Sequence, residues 1–504
     1  MSVVYPSLSR RGFVVPTRLK ASAYESASSQ GARAKSWKAS SAGPNASAVQ
    51  NLPLMRHRAR DAIRNDPWAK TAIARLVSNT IGTGIQAHPQ HPDALVRQQQ
   101  KQLWEDSGTE LDADGLLDQY GLQTLAARAF FSDGEVLVRR RWRSPHSGLA
   151  VPLQIQLLEG DLLPVDRNDQ LVNGGRGGEI VNGVEFDADG QRVAYHLLAR
   201  HPGEYNRAMK GNIQTVRVPA SEIAHVFHVL RPGQVRGVPE LSTVLLRLHS
   251  LDNFDDAVLF RQEVSNLFAG FIVKPHVEVG PMGDPLSGAP LAFDADGFSP
   301  VVSLEPGGMQ ELAPGEDVRF ASPPGAGTDY APFMRQQLMA AAASVGMPYE
   351  VLTGDLRDVS DRVLRVLLNE FRRSIEQFQW NVFIHQFCRT VWAWWVDACQ
   401  LSGAMAMPGF HRTRREYLRV RWVPQGWPYI HPVQDVAAKQ QEIRAGLTSR
   451  TAAILGKGED PEQVDDENAA DLARAQRLGL SYDTHAPDGS TQDRSTPDST
   501  LNGE

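Results

Sequence analysis

Apolar residues recur at intervals of three and four from Val363 through Leu367, Phe371, Phe378 and Val382 to Trp392, the period of an α-helix. No Pro or Gly interrupts residues 355–400, so the pattern predicts one helix of about forty residues, ~60 Å long at ~1.5 Å per residue. Its first half has a charged face (Arg362, Arg365, Glu370, Arg372, Arg373). Its second half is aromatic almost all round (Trp380, Phe383, Phe387, Trp392, Trp394, Trp395). A helix this long exceeds what a compact domain needs and joins two regions of something larger.

The same reading of period predicts helices over 51–82, 93–107 and 116–131. Asp66-Pro67 marks a start inside the first, and Gly82 and Gly84 mark its end. Period-two or apolar runs predict strands at 135–142, 153–158, 183–189, 192–198 and 223–229. The glycine run at 174–178 reads as a hairpin or loop between strands. His225 and His228, three apart on a strand, face opposite sides and do not share a metal. A long helix from Pro239 to about Ala269 buries Leu241, Val244, Leu245, Leu248 and Leu251 and keeps Asp252, Asp255, Asp256 and Glu263 wet. Short apolar runs between Gly and Pro make residues 271–322 a small β-rich insertion, and a helix over 330–345 returns from it. A strand at 418–423 and helices at 433–445, 449–455 and 461–478 complete the chain.

A chain of 504 residues has ample material for a core, and 41% hydrophobic with 22% charged residues is ordinary for a soluble protein. The net charge of −6 does not describe a nucleic-acid coat. No run of eighteen apolar residues spans a membrane, and no secretory signal is expected at the N-terminus. Residues 1–50, rich in Ser, Ala, Arg and Lys, read as a basic, poorly packing arm suited to nucleic acid, a neighbouring subunit or solvent. The C-terminal residues read as an acidic, polar, disordered tail. Cys388 and Cys399, the two cysteines, lie three helical turns apart and read as unbridged core residues.

Catalytic motifs are missing: no GxxxxGK[ST], HExxH, GxSxG or Cys-x-x-Cys occurs. Asp355, Asp358 and Asp361 are spaced to cap the long helix, where carboxylates suit the positive end of its dipole, and less readily to hold a metal. The expectation is a protein that is not an enzyme and needs no cofactor or metal. Two helices flanking an insertion make a stalk with a tip, which gains stability if copies pack side by side in a ring.

The chain resembles the lambda-like portal proteins of tailed bacteriophages. The likeness rests on RARDAIRNDPWAKTAIARLVSNTIGTGI at 58–85, LEGDLL at 158–163, and IAHVFHVLRPGQVRGVPELSTVLLRLHSLDNFDDAVLFRQEVSNLFAGFI at 223–272. It continues in VGMPYEVLTGDL at 345–356, NEFRRSIEQFQ at 369–379 and WVPQGWPYIHPVQDVAAKQQEIRAGLTSR at 422–450, spanning roughly residues 50–480. Many relatives have an Asn-Tyr-Ser-Ser-like run where this chain has Val359-Ser360-Asp361-Arg362.

The resemblance implies an α+β fold divided into named regions, assembled as a ring. These are an α+β wing (51–238), a stem of two helices (239–270 and 326–346) around a β-rich clip (271–325), a tunnel loop (347–362), a long helix with a wing strand (363–431), and a helical crown (432–480), before a polar tail (481–504). It implies a dodecameric channel at one capsid vertex of the virion, assembled in the host cytoplasm. Double-stranded DNA would pass through it without sequence recognition, and its partners would be terminase, the major capsid protein and head-tail connector proteins. Asp355, Arg357, Asp358, Asp361 and Arg362 would lie nearest DNA, and Asp252, Asp255, Asp256 and Glu263 would face the stem lumen or a neighbour. The alternatives are another capsid structural protein, such as an adaptor or scaffold, and a metal-dependent nuclease built on the tunnel-loop carboxylates.

Overall fold

A computed structural model describes residues 40–173, 176–204, 215–267, 271–272, 310–311, 330–357, 359–428 and 432–480. Most of the basic arm, nearly all of the expected clip, Asp358 and the tail lie outside the described residues.

The first helix, α1 (Pro44–Asn65), starts within the segment read as an arm. The cause is a tether that periodicity does not show. Asn45 donates from Nδ2 to the Gly233 carbonyl (3.0 Å) and accepts the Val235 N–H (3.0 Å), which pins the start of the helix to the chain near Arg236. Helix α2 (Pro67–Thr80) begins as expected, with Asp66 accepting from the amides of Trp68 (2.7 Å) and Ala69 (3.1 Å) and Pro67 at the first position. After β1 (Gln86–Pro89) come α3 (Ala94–Gly108) and α4 (Gln119–Asp133), capped by Asp93 and Asp118.

Strands β2 (Glu135–Trp142) and β3 (Leu153–Glu159) pair antiparallel, and β4 (Asp169–Asn173) with β5 (Arg176–Val181) forms the hairpin read at the glycine run. With β6 (Val184–Phe186), β7 (Arg192–Leu198) and β8 (Thr215–Pro219) they give a five-stranded meander. Strand β9 (Ile223–Phe227) joins the other edge of β2, so the order of the three-stranded sheet is β3-β2-β9. That sheet is buried on two sides. Val136, Val138, Leu153, Ile155, Ala224 and Val226 face the main core, while Leu137 and Ile223 face a second, smaller core against the meander.

The helix expected from Pro239 starts later, as α5 (Leu245–Leu267), because a 3₁₀ turn over Glu240–Thr243 makes the entry after Pro239. Two short strands, β10 (Phe271–Ile272) and β11 (Gln310–Glu311), pair in parallel. Helix α6 (Tyr330–Ser344) returns, and α7 (Tyr349–Thr353) precedes the long helix. That helix runs unbroken from Asp361 to Ser402 as α8 (Asp361–Phe378), a π-helical stretch (Gln379–Cys388) and α9 (Arg389–Ser402). Sequence period does not reveal the widened middle, where Gln386 reads the edge of β9 with both amide atoms: it accepts from Phe227 N (2.8 Å) and donates to Phe227 O (3.1 Å). Trp392 and Trp395 stack at 4.8 Å, and Trp104 meets both edge-on at 5.1 and 5.2 Å, so the aromatic half is core as read. Trp380 is the exception and stays half-exposed. Cys388 and Cys399 are buried and free, and burial pushes both thiols up.

Helix α10 (Phe410–Tyr417), too charged to show a clear apolar stripe, precedes β12 (Val420–Val423), which pairs with β1 across the chain. Helices α11 (Pro432–Arg444), α12 (Arg450–Leu455) and α13 (Pro461–Leu478) close the fold. The start of α13 is tied to the rest of the chain by Lys101 and His88 at Asp460 and by Arg97 at Glu462.

One ionic cluster joins these layers. Glu135, fully buried at the start of β2, accepts from Arg56 of α1, from Arg236 Nε (2.8 Å), from His225 Nε2 (3.1 Å) and from Gly237 N (2.7 Å). Arg236 gives its remaining donors to the carbonyls of Gly160 (2.8 Å), Leu163 (2.8 Å) and Asn182 (3.0 Å). Burial alone would raise the Glu135 carboxyl, but Arg236, Arg56 and His225 hold it well below the usual carboxylate range. Burial lowers His225 from 6.5 to about 4, so it sits neutral, donating its Nε2 proton.

Two outcomes are expected. Arg236→Met, which leaves Glu135 buried with fewer cations, costs about 3–5 kcal/mol in chemical denaturation. For His225 the folded value lies below the unfolded one, so its stability is whole above pH 6.5 and is lost as pH falls toward about 4, at up to ~1.4 kcal/mol per pH unit. Glu135, also depressed, adds its own loss only further into acid. The melting temperature of His225→Gln, followed across that window, falls less steeply than that of the parent chain.

Candidate functional site

The segment between α7 and α8 is assembled by local rules. Gly354 ends α7 at φ +73°, in the left-handed region that favours glycine. Asp355 then turns back on the chain: it accepts from the Arg357 amide (3.1 Å), from Arg357 Nε (2.8 Å) and Nη2 (2.9 Å), and from the Tyr349 hydroxyl (3.2 Å). The Arg357 side chain and amide hold its carboxyl far below the usual range. Ser360 caps α8 by accepting from Val363 N, and Asp361 lies in the first turn.

These contacts revise the expected roles. Asp355 does not cap α8 but takes Arg357 as its counter-charge, and Asp358, the second of the three aspartates, lies outside the described residues. The cap is Ser360. Arg362 is exposed on the first turn of α8.

The second group of expected residues lies on α5. The apolar side read from the sequence is buried as far as Leu251, with Leu241, Val244, Leu245 and Leu248 also enclosed. From Asp252 to Glu263 no residue is buried. Asp252, Asp256 and Glu263 are exposed along one stripe, four and seven residues apart. Asp255 is set apart from them: it accepts from the Tyr330 hydroxyl of α6 at 2.7 Å. Phe254 packs on Tyr330 (6.2 Å, stacked) and Phe333 (5.2 Å), and Arg247 donates to Gln337 (3.0 Å). The two helices are therefore a paired projection whose far half leaves the core, with Leu259 and Phe260 62 and 67% exposed. Among the described residues, those expected nearest DNA lie at the start of α8 and before it, whereas Asp252, Asp255, Asp256 and Glu263 lie on α5.

Sequence reading missed a further polar group. Glu159, Asp161 and His201 converge closely enough to hold a cation. Arg60 lies among them, with Nη1 2.6 Å from Asp161 and Nη2 3.3 Å from Glu159, and so provides the positive charge itself. No spacing rule signals this cluster, since its members come from α1, the end of β3 and the loop after β7.

The family profile described as phage portal protein, lambda family, matches residues 30–379. The probable portal protein of Halomonas phage phiHAP-1 is 28% identical over 442 residues, which cover 84% of this chain and 81% of that protein. Portal protein B of Escherichia phage lambda is 19% identical over 491 residues, 89% of each chain. Among solved structures, a chain from the neck of a native gene transfer agent particle computed with C12 symmetry overlays with a TM-score of 0.40 at 13% identity, covering 81% of this chain and 93% of its own. With the profile spanning well over half its length, the chain belongs to the lambda family of phage portal proteins.

Proposed function

We propose that the chain forms a closed ring, a dodecamer, that serves as the DNA channel at one capsid vertex of the virion, assembled in the host cytoplasm. The observation that carries this reading is the α5/α6 projection in a member of the portal family. From Asp252 to Glu263 no residue of α5 is buried, and Leu259 and Phe260 stand in the open. Exposed apolar side chains on a projecting element call for a partner, and identical copies around a cyclic axis supply one.

In this ring α5 and α6 are the stem, the segment between them is the clip that docks terminase and then the head-tail connector proteins, and α11–α13 are the crown. Residues 354–362 form the tunnel loop. Arg357 is neutralised by Asp355, so the loop offers duplex DNA little fixed positive charge beyond Arg362. Asp252, Asp256 and Glu263 line the stem lumen or face the next copy. A wall with few free cations releases few counterions on contact with phosphate and so does not grip. Sliding without sequence recognition follows. The role is structural, and it requires no cofactor.

Mass photometry with class averages of the purified protein tests the ring: closed rings with an open centre are expected, and open filaments or closed assemblies without a central hole overturn it. Deleting residues 354–362 is expected to leave rings intact and to lower the DNA packaged per capsid. Rings that fail to form would make the loop an assembly element instead. Leu259→Ser with Phe260→Ser is expected to cut the ring fraction while the melting temperature of the single chain stays within about 1 °C, because both side chains are exposed there.

A further inference from the structure

Strand β2 changes character halfway along. Its first residues, Val136, Leu137 and Val138, are buried on both faces; Arg139, Arg140 and Arg141 are half-buried, and Trp142 and the following Arg143 are exposed. Alternation puts Arg140 and Trp142 on the side of the long helix, where the Arg140 guanidinium lies 5.0 Å from the Trp142 ring and 5.8 Å from that of Trp394. Arg139, Arg141 and Arg143 share the other side.

What holds this row is unusual for arginine. Arg141 Nε donates to the Gln156 amide oxygen (2.8 Å) and Arg143 Nε to that of Gln154 (2.6 Å), both on the paired strand β3. Gln154 is itself fixed, since its amide nitrogen donates to the carbonyls of Glu110 and Asp112. Neutral amides therefore orient the guanidiniums through Nε and leave the outer nitrogens without a partner among the described residues. No carboxylate forms an ion pair with Arg139, Arg141 or Arg143 among those residues, and Arg139 Nε is buried with no acceptor. Burial, then Arg139 and Arg143, lower Arg141, with Glu222 alone opposing. A fold that gives Arg56, Arg60, Arg217, Arg236 and Arg414 carboxylate partners leaves this row without one.

We propose that Arg139, Arg141 and Arg143, the last two oriented by Gln156 and Gln154, form a second contact for duplex DNA on the β3-β2-β9 sheet, binding the phosphodiester backbone without reading sequence. Guanidiniums on alternate strand residues repeat every ~7 Å, and each needs a bidentate anion. Each nucleotide of a DNA strand rises ~3.4 Å and also turns about the axis, which puts successive phosphates ~7 Å apart, so neighbouring phosphates match the spacing of the row. Trp142, 40% exposed, sits at the end of the row beside it. The site is independent of the channel reading: it needs only the described sheet of one chain.

The test uses covalently closed circular duplex DNA, which cannot thread a closed ring, and reads binding to the full chain by electrophoretic shift across a salt series. The parent chain is expected to bind the circle with a log affinity that falls linearly with log salt. Arg139→Gln/Arg141→Gln/Arg143→Gln is expected to weaken binding at least tenfold and to reduce that slope by about 2–3. Arg141→Gln/Arg143→Gln, which spares the more enclosed Arg139, guards against loss of fold and is expected to lower the slope by about 2. Equal binding of the circle by parent and double variant overturns the proposal. So does binding of linear DNA alone, which leaves the channel intact as a reading. Capture of a poly-glutamate peptide by the parent chain with no binding of the circle also overturns it, and assigns the row to an acidic protein surface.

Discussion

A single buried carboxylate sets the geometry on which the rest depends. Glu135 stands where α4 becomes β2, and its two oxygens are met from α1 by Arg56, from β9 by His225 and from the approach to the stem by Arg236 and the Gly237 amide. The desolvation of such a group is severe, and close, well-directed cations are what offset it. Each partner has to arrive at hydrogen-bond distance, so the cluster fixes where the first helix, the outer sheet and the stem entry sit relative to one another. Arg236 extends that control through three carbonyls, reaching the end of β3 and the turn before β6. The apolar cores supply most of the favourable free energy, but apolar contact is non-directional and does not select one angle between layers.

How much of this was legible depends on the range of the interaction. Helix α13 and strands β2 and β7 have the bounds their period implies, and Asp66 caps α2 as its position beside Pro67 suggests, because these signals lie within a few residues. The long helix was legible as a length without Pro or Gly. Its π-helical middle was not, since a widened turn leaves no distinct letter in the sequence. Helix α10 was hidden by its charge, and the pairing of β1 with β12 by the more than three hundred residues between them.

The functional residues divide in the same way. Asp355 and Arg357 are two apart, and their pairing is a local effect that reading the three aspartates as a set obscured. Glu135 reads in sequence as one polar letter ahead of an apolar run, and its partners lie 79 to 102 residues away. A charged residue at the head of a strand that is otherwise buried was the available signal. The arginine row was visible as letters, but its lack of carboxylate partners is a property of the folded sheet.

The stem entry contains one contact with a different kind of consequence. Gly134, at φ +86°, and Gly237 cross backbone to backbone. A Cβ on Gly134 would lie 2.2 Å from the Val238 carbonyl carbon, and one on Gly237 would lie 2.0 Å from the Gly134 oxygen. No flexible side chain stands at either crossing to swing aside. Such a joint admits no graded adjustment by substitution, since the smallest available change is already too large. Surface helices such as α11 can drift in sequence with little penalty, whereas these two positions allow one residue each. A lineage that altered the angle of α5 would have to do so by lengthening or rebuilding a loop, never by exchanging letters at the crossing.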